Sequence, residues 1–296
     1  MDAGALLLVI SCLGPAGLPA PPPARQPPSA AAPAAPAPAR WEVGFEYQRD
    51  RFDYRFENAS NFGTPETVPH VFEQRYGADN AWLSARLFFT LGNRPFETEG
   101  GLSTGSTGIG SDYDTFYQPD GDIVRYGTTA VTDIRSWRAA QYVGLGWWLG
   151  VRWRAAYGYR RDHADFRPSF TTILHTTPPS SAAFWNADRE TTISEVHEIR
   201  LGAERVFAWD SGWCLRAAAD AAPTTLARLT TLLPDKYPEP VVFIAKSLSV
   251  NAALSVTRRT GRWHVGAVLA YAQAWSYRQS DAYHRRAISV AGVVGR

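Results

Sequence analysis

The stretch TGIGSDYDTFYQPDGD, residues 107–122, sets two aspartates one residue apart, Asp112 and Asp114, behind a run of Gly, Ser and Thr. Two more, Asp120 and Asp122, follow a Gln-Pro turn signal. Residues i and i+2 of a strand point to the same side, so Asp112 and Asp114 are able to present two carboxylates to one space. Two carboxylates held close do not both ionise readily, which raises one pKa and suits proton transfer to and from a water. Two other readings compete. One is an acidic surface loop held by local Asx turns. The other is a calcium site built from all four aspartates, since hard cations take several oxygens, although the spacing fits no standard calcium loop. Other chemistries lack their motifs: there is no Cys-x-x-Cys, His-Glu-x-x-His, Gly-x-x-x-x-Gly-Lys or Gly-x-Ser-x-Gly, and no helix pattern follows GIGSDYD. No metal site and no cofactor is therefore expected.

The elements that must position these aspartates are strands. In FIAKSLSVNAALSV (243–256), Ile244, Leu248, Val250, Ala252, Leu254 and Val256 alternate with Ala245, Ser247, Ser249, Asn251, Ala253 and Ser255. Alternation over that length indicates a half-exposed strand, longer than the ~5–6 residues usual in soluble sheets and long enough for the ~9–11 of a membrane-spanning strand. WEVGFEYQ (41–48) sets Trp41, Val43, Phe45 and Tyr47 against Glu42, Glu46 and Gln48. Trp153, Ala155, Tyr157 and Tyr159 oppose Arg152, Arg154 and Arg160; Ile199, Leu201 and Ala203 oppose Glu198, Arg200 and Glu204; Leu215, Ala217 and Ala219 oppose Arg216 and Asp220. In a soluble sandwich, the runner-up fold, the charged face would be the outside. In an outer-membrane barrel it is the inside, where opposite charges pair and plug a narrow lumen. The 11 Trp and 13 Tyr, clustered near strand ends, favour the barrel.

Short breakers at 92–95, near Gly150, at 208–212 and at 258–262 alternate with long ones at about 57–70, 111–131, 167–191, 224–242 and 279–284. Nine connections of alternating length imply a ten-stranded antiparallel transmembrane barrel over residues 41–296, with short periplasmic turns and longer outer loops. The formal charge of +2 argues against a nucleic-acid partner. Ahead of the barrel, residues 1–20 read as a signal peptide, or as a lipoprotein signal in which Val9-Ile10-Ser11-Cys12 is the lipobox. Residues 21–40 read as a stiff Pro/Ala-rich linker. Cys12 and Cys214 do not make a disulfide scaffold.

A ten-stranded barrel with a Gly-rich third strand running into Asp-x-Asp-aromatic, here GGLSTGSTGIGSDYDTFY (100–117), resembles the omptin family of outer-membrane proteases. The resemblance covers residues 41–296. It implies a bacterial outer-membrane location, contact with outer-membrane lipid, possible dependence on lipopolysaccharide, and a peptide or protein substrate met at the outer loops. It also implies an aspartic endopeptidase in which a water is activated between the pair Asp112/Asp114 and an Asp-x-His dyad in the fourth outer loop. That loop contains LLPDKYPEPVVF (232–243), so Asp235 matches the aspartate while Tyr237 stands in place of the histidine. Tyrosine, with a pKa near about 10, is a poor base at neutral pH. His70, His163, His175 and His197 lie in or near other outer loops as possible substitutes. A second departure is the C-terminus, where Arg296 stands in place of the usual terminal aromatic. Two functions follow: a surface endopeptidase with catalytic Asp112, Asp114 and Asp235, or a non-catalytic barrel of the same fold with a structural, lipid-binding or partner-binding role.

Overall fold

The computed structural model describes residues 40–57, 70–91, 94–185, 189–232, 234, 239–278 and 280–296. The chain divides into two units, residues 1–36 and 37–296. The first lies outside the described residues, and with it the signal reading of 1–20 and nearly all of the linker reading of 21–40.

The strands are β1 (Arg40–Glu57), β2 (His70–Leu91), β3 (Arg94–Tyr117), β4 (Ile123–Trp148), β5 (Val151–Thr176), β6 (Pro179–Phe184), β7 (Glu190–Ala208), β8 (Trp213–Leu232), β9 (Val241–Thr260), β10 (Trp263–Ser276) and β11 (Asp281–Gly295). All pairings are antiparallel, in the order β4-β3-β2-β1-β11-β10-β9-β8-β7-β5, and β4 pairs with β5 to close the wall. Ten strands thus form a closed barrel, as the spacing of breakers implies. The short strand β6 lies outside that count, paired along the upper part of β5 (Thr171–Thr176).

Three of the long connections are shorter than the sequence indicates. The Gly/Ser/Thr/Asp-rich stretch 111–131 reads as a loop, yet β3 runs to Tyr117 and β4 resumes at Ile123. Only a tight turn remains, with Gly121 at φ 88° and its N–H donating to the Gln118 carbonyl. In a closed wall, ladder hydrogen bonds on both sides satisfy the backbone regardless of side-chain propensity. Asp112 and Asp114 accordingly belong to strand β3 and not to the second outer loop. For the same reason β5 continues to Thr176, and β8 to Leu232.

The lumen is layered. Nearest the short turns it holds ion pairs. Arg86 meets Glu97 and Glu99 (3.0 and 2.7 Å), Arg154 meets Asp220 (2.6 Å), and Arg216 meets Glu204 and Glu97 (2.6 and 3.1 Å). Arg138 pairs with Glu46, Arg152 with Glu204, and Arg200 with Glu198. The inward charged face read from the sequence is therefore the inside of the barrel. In the next layer Arg160 lies between Asp50 and Asp162, and Arg285 also reaches Asp50. The ring of buried Trp82 lies against Arg138 and Arg160. Gly105 faces inward beside it, and a Cβ there would run into the backbone of Asp79 and Asn80. That close approach explains one glycine of the Gly-rich third strand. Above the ions lies an aromatic layer: Phe52 on Tyr76 (4.9 Å between centroids), Tyr54 on Tyr283 (5.3 Å), Phe56 on Phe243 (4.3 Å) and Phe72 on Phe243 (5.5 Å).

The exterior changes character at the same height. Trp41, Val43, Phe45 and Tyr47 face outward on the lower part of β1, but above them the outward residues are Arg49, Arg51, Asp53 and Arg55. On β2, outward Asp79 and Arg75 stand above Leu83 and Leu87. The apolar residues of β1 thus shift phase, from odd positions through Tyr47 to even positions from Phe52. Its register with β2 and β11 nevertheless runs unbroken.

Candidate functional site

The inward rows of the loop-end wall follow from strand pairing. Opposed residues of an antiparallel pair share a face. Asp112 is opposed by Gln74 on β2 and Thr128 on β4, and Asp114 by Phe72 and Tyr126. Gln74 and Phe72 are buried, so both aspartates face inward, stacked one above the other on the same wall. The rows continue through Thr171 and Ile173 of β5 to Phe184 and Ala182 of β6. Thr128 Oγ1 and Thr171 Oγ1 lie 3.0 Å apart, consistent with their common face.

His70, one of the four histidines named as substitutes, stands beside Asp114. Its Nε2 is 2.8 Å from Asp114 Oδ1, its ring stacks on Phe116 at 4.3 Å and 6°, and its side chain is only 2 % exposed. The Asp114 carboxylate is 30 % exposed. The imidazole is thus the buried partner and the carboxylate the accessible one, which suits His70 to orienting Asp114. In the row of Asp112, Gln74 Nε2 donates across the lumen to Glu190 Oε1 (2.9 Å) and Thr192 Oγ1 (3.3 Å), tying β2 to β7 at that level. His70, Gln74 and Glu190 were not read as a group from the sequence. The signal is present in HVFEQRY (70–76), where inward His70, Phe72, Gln74 and Tyr76 alternate with outward Val71, Glu73 and Arg75.

Asp235, together with Lys236 and Tyr237, lies outside the described residues. Of the other histidines, His163 and His197 lie on the outer side of the wall, against Asp165 (3.0 Å) and the Tyr157 hydroxyl (2.8 Å). His175 faces inward at the outer turn, 3.2 Å from Asp122.

Asp120 and Asp122 serve the turn. Asp120 accepts from the Asp122 amide (3.0 Å), and Asp122 Oδ1 accepts from the amides of Ile123, Thr176 and Thr177 and from the Thr176 hydroxyl. Burial pushes the Asp122 pKa up, but the hydrogen bonds from His175, the Thr176 hydroxyl and the Thr177 and Thr176 amides outweigh it and hold the group down at about 2. The four aspartates do not converge, and among the described residues no group of three or more His, Cys, Asp or Glu is placed to hold a metal ion.

An inward carboxylate pair with an imidazole on one member can position a water and accept its proton. An Asp-His contact is also the orienting unit of many hydrolytic sites. No family model matches the sequence, and no curated protein matches it. The architecture is similar to the crystal structure of the outer membrane protease OmpT from Escherichia coli. The TM-score is 0.60 and the identity 10 %, over 88 % of this chain and 97 % of that one. The translocator domain of the autotransporter NalP from Neisseria meningitidis aligns at a TM-score of 0.31 and 13 % identity, over 85 % of this chain and 87 % of that one. The fold is thus that of an outer-membrane β-barrel, at an identity that speaks to fold alone.

Proposed function

We propose that this chain is an omptin-like barrel of the bacterial outer membrane that hydrolyses peptide bonds at its loop end. Asp112 and Asp114 activate the water, and His70 positions Asp114. The observation that carries this reading is the His70–Asp114 contact, which supplies an imidazole to the aspartate pair although Tyr237 stands at the expected histidine. Asp235 remains a candidate partner from the opposite wall, by resemblance. Outer-membrane lipid is the proposed surround. The exposed Phe45, Leu83, Leu102, Ile199, Leu269 and Val290 form a band suited to hydrocarbon. Outward Arg49, Arg51, Arg75 and Arg286 stand directly above it at headgroup height, where lipopolysaccharide phosphates would meet them.

The test is cleavage of a dibasic fluorogenic peptide by the refolded full-length protein in lipopolysaccharide-containing detergent. Asp112→Asn and Asp114→Asn should lose activity by about a hundredfold or more, and His70→Ala by a smaller factor, with the heat-modifiable gel shift of a folded barrel retained. Cleavage that persists in both aspartate variants would reject the assignment. One observation favours a second reading, a non-catalytic barrel. Phe56 and Phe72 stack on Phe243 across the lumen at the level of Asp114, so the space beside the aspartates is filled. Under that reading the wild type cuts nothing in conditions where an active omptin does.

A further inference from the structure

β6 ends the sheet. Lower on the wall β5 pairs with β7, from Arg152 to Phe166, but from Thr171 upward β6 takes that side. The other edge of β6 has no partner strand among the described residues. All six of its residues, Pro179–Phe184, are exposed. A free edge offers a row of backbone N–H and C=O groups to any extended chain, and proteins usually blunt it with charge, internal proline or a bulge. Here the strand reads PSSAAF: it carries no charge, and its one proline stands at the first position. Exposed Phe184, Trp185 and Leu174 flank it with apolar surface.

We propose that β6 is a docking edge for an extended polypeptide segment bearing basic side chains, which adds to the wall as a further strand. A backbone donor–acceptor row is complemented by another extended backbone. The charge follows from the inner face. Its three rows, which start at His70, Phe72 and Gln74 on β2 and end at Ser180, Ala182 and Phe184 on β6, hold Asp112 and Asp114 and no Lys or Arg. A second copy does not fit. Two barrels held the same way up in one membrane have their β6 strands running in the same direction, which excludes the antiparallel self-pairing of a symmetric dimer. The inference rests on the proposed membrane location and brings a peptide to the wall that carries the aspartates.

The experiment uses the full-length refolded Asp112→Asn protein, so that binding is read without cleavage. The probe is a fluorescein-labelled ten-residue peptide of alternating Thr and Arg, followed by anisotropy. Two further peptides carry N-methyl groups on every Thr or on every Arg. In an added strand, alternate N–H groups point toward and away from the edge. One methylated peptide should therefore lose about tenfold or more in affinity while the other stays close to the parent. Hydrogen exchange should show new protection at alternate amides of 180–184. Equal binding of all three peptides, or no binding of the parent, overturns the proposal. So does protection of that edge before peptide is added, which would mean that the protein's own chain covers it, or a doubled mass from self-association. If the wild type cuts no peptide but this binding signature holds, the docking edge stands and the peptidase reading falls. Cleavage without the signature gives the reverse.

Discussion

The lower and upper halves of the barrel bury opposite kinds of residue with one continuous set of strands. Below Tyr47, β1 puts Trp41, Val43 and Phe45 outside and Glu46 inside. Above Asp50 it puts Arg51, Asp53 and Arg55 outside and Phe52, Tyr54 and Phe56 inside. The lower half is built like a membrane barrel, the upper half like a soluble one. Since the register with β2 and β11 does not slip, the difference comes from the surroundings each half is built for and not from any break in the strand. The lesson concerns phase. A one-residue shift in hydrophobic alternation ordinarily signals a bulge or a register change. Here it marks the height at which the exterior stops being apolar.

The comparison breaks most sharply inside the lower half. Glu204 is approached by Arg152, Arg154 and Arg216, so Glu204→Ala strands buried guanidinium charge. It should cost about 3–5 kcal/mol in a urea titration of the refolded barrel. A loss as small as that of a surface residue would mean that water fills this lumen. On the exterior, Phe45→Arg should cost about 2–4 kcal/mol in lipid, the range for a cation on the lipid face near the midplane. Arg51→Leu, four residues above Tyr47, should stay within about 0.5 kcal/mol. Equal effects at the two positions would dissolve the boundary between the halves.

The smallest effect is at the outer turn. Because the Asp122 pKa is depressed to about 2 from its usual 3.8, its contribution is fully present above about pH 4 and lost as pH falls through about 2. Hydrogen exchange at Thr176 and Thr177 should speed up over that interval in the wild type. In Asp122→Ala it should be fast throughout. A mutant with wild-type protection would show that the turn stands without its carboxylate.

The lower half was the legible part. Its alternation pairs one consistently apolar face with one charged face, as at Ile199–Leu201 against Glu198–Arg200, and each Arg has a Glu or Asp within a few strands to meet it. The ten-strand count was legible too, because breakers mark connections even when their lengths are misjudged. Less legible was the upper half, where the apolar face turns inward and Gly, Ser and Thr continue the strands. For that reason the aspartate pair looked like a loop when it lies in the wall. At the site, the common face of Asp112 and Asp114 followed from i, i+2 spacing, and the buried partners Gln74 and Phe72 show that this face is the inner one. The contact with His70 did not, because the register set by the hairpin at Leu91 and Arg94 shifts between Arg75 and Ala78 before it reaches His70 and Asp114.

Strand β2, whose register with β1 runs unbroken, also sets a height for the aspartates. From Ala81, at the top of the apolar band on β2, to Phe72, opposite Asp114, is nine residues, or about 30 Å along the strand. With the tilt usual in such barrels, Asp114 stands about 20–25 Å above the band and Asp112, opposite Gln74, about 15–20 Å. They are held there by a rigid cylinder and not by a pliant stalk. Such a platform selects by altitude. In the proposed membrane setting, macromolecules diffusing beyond the lipid headgroups would meet the aspartates without approaching the bilayer, whereas a molecule lying flat in the leaflet would pass beneath them.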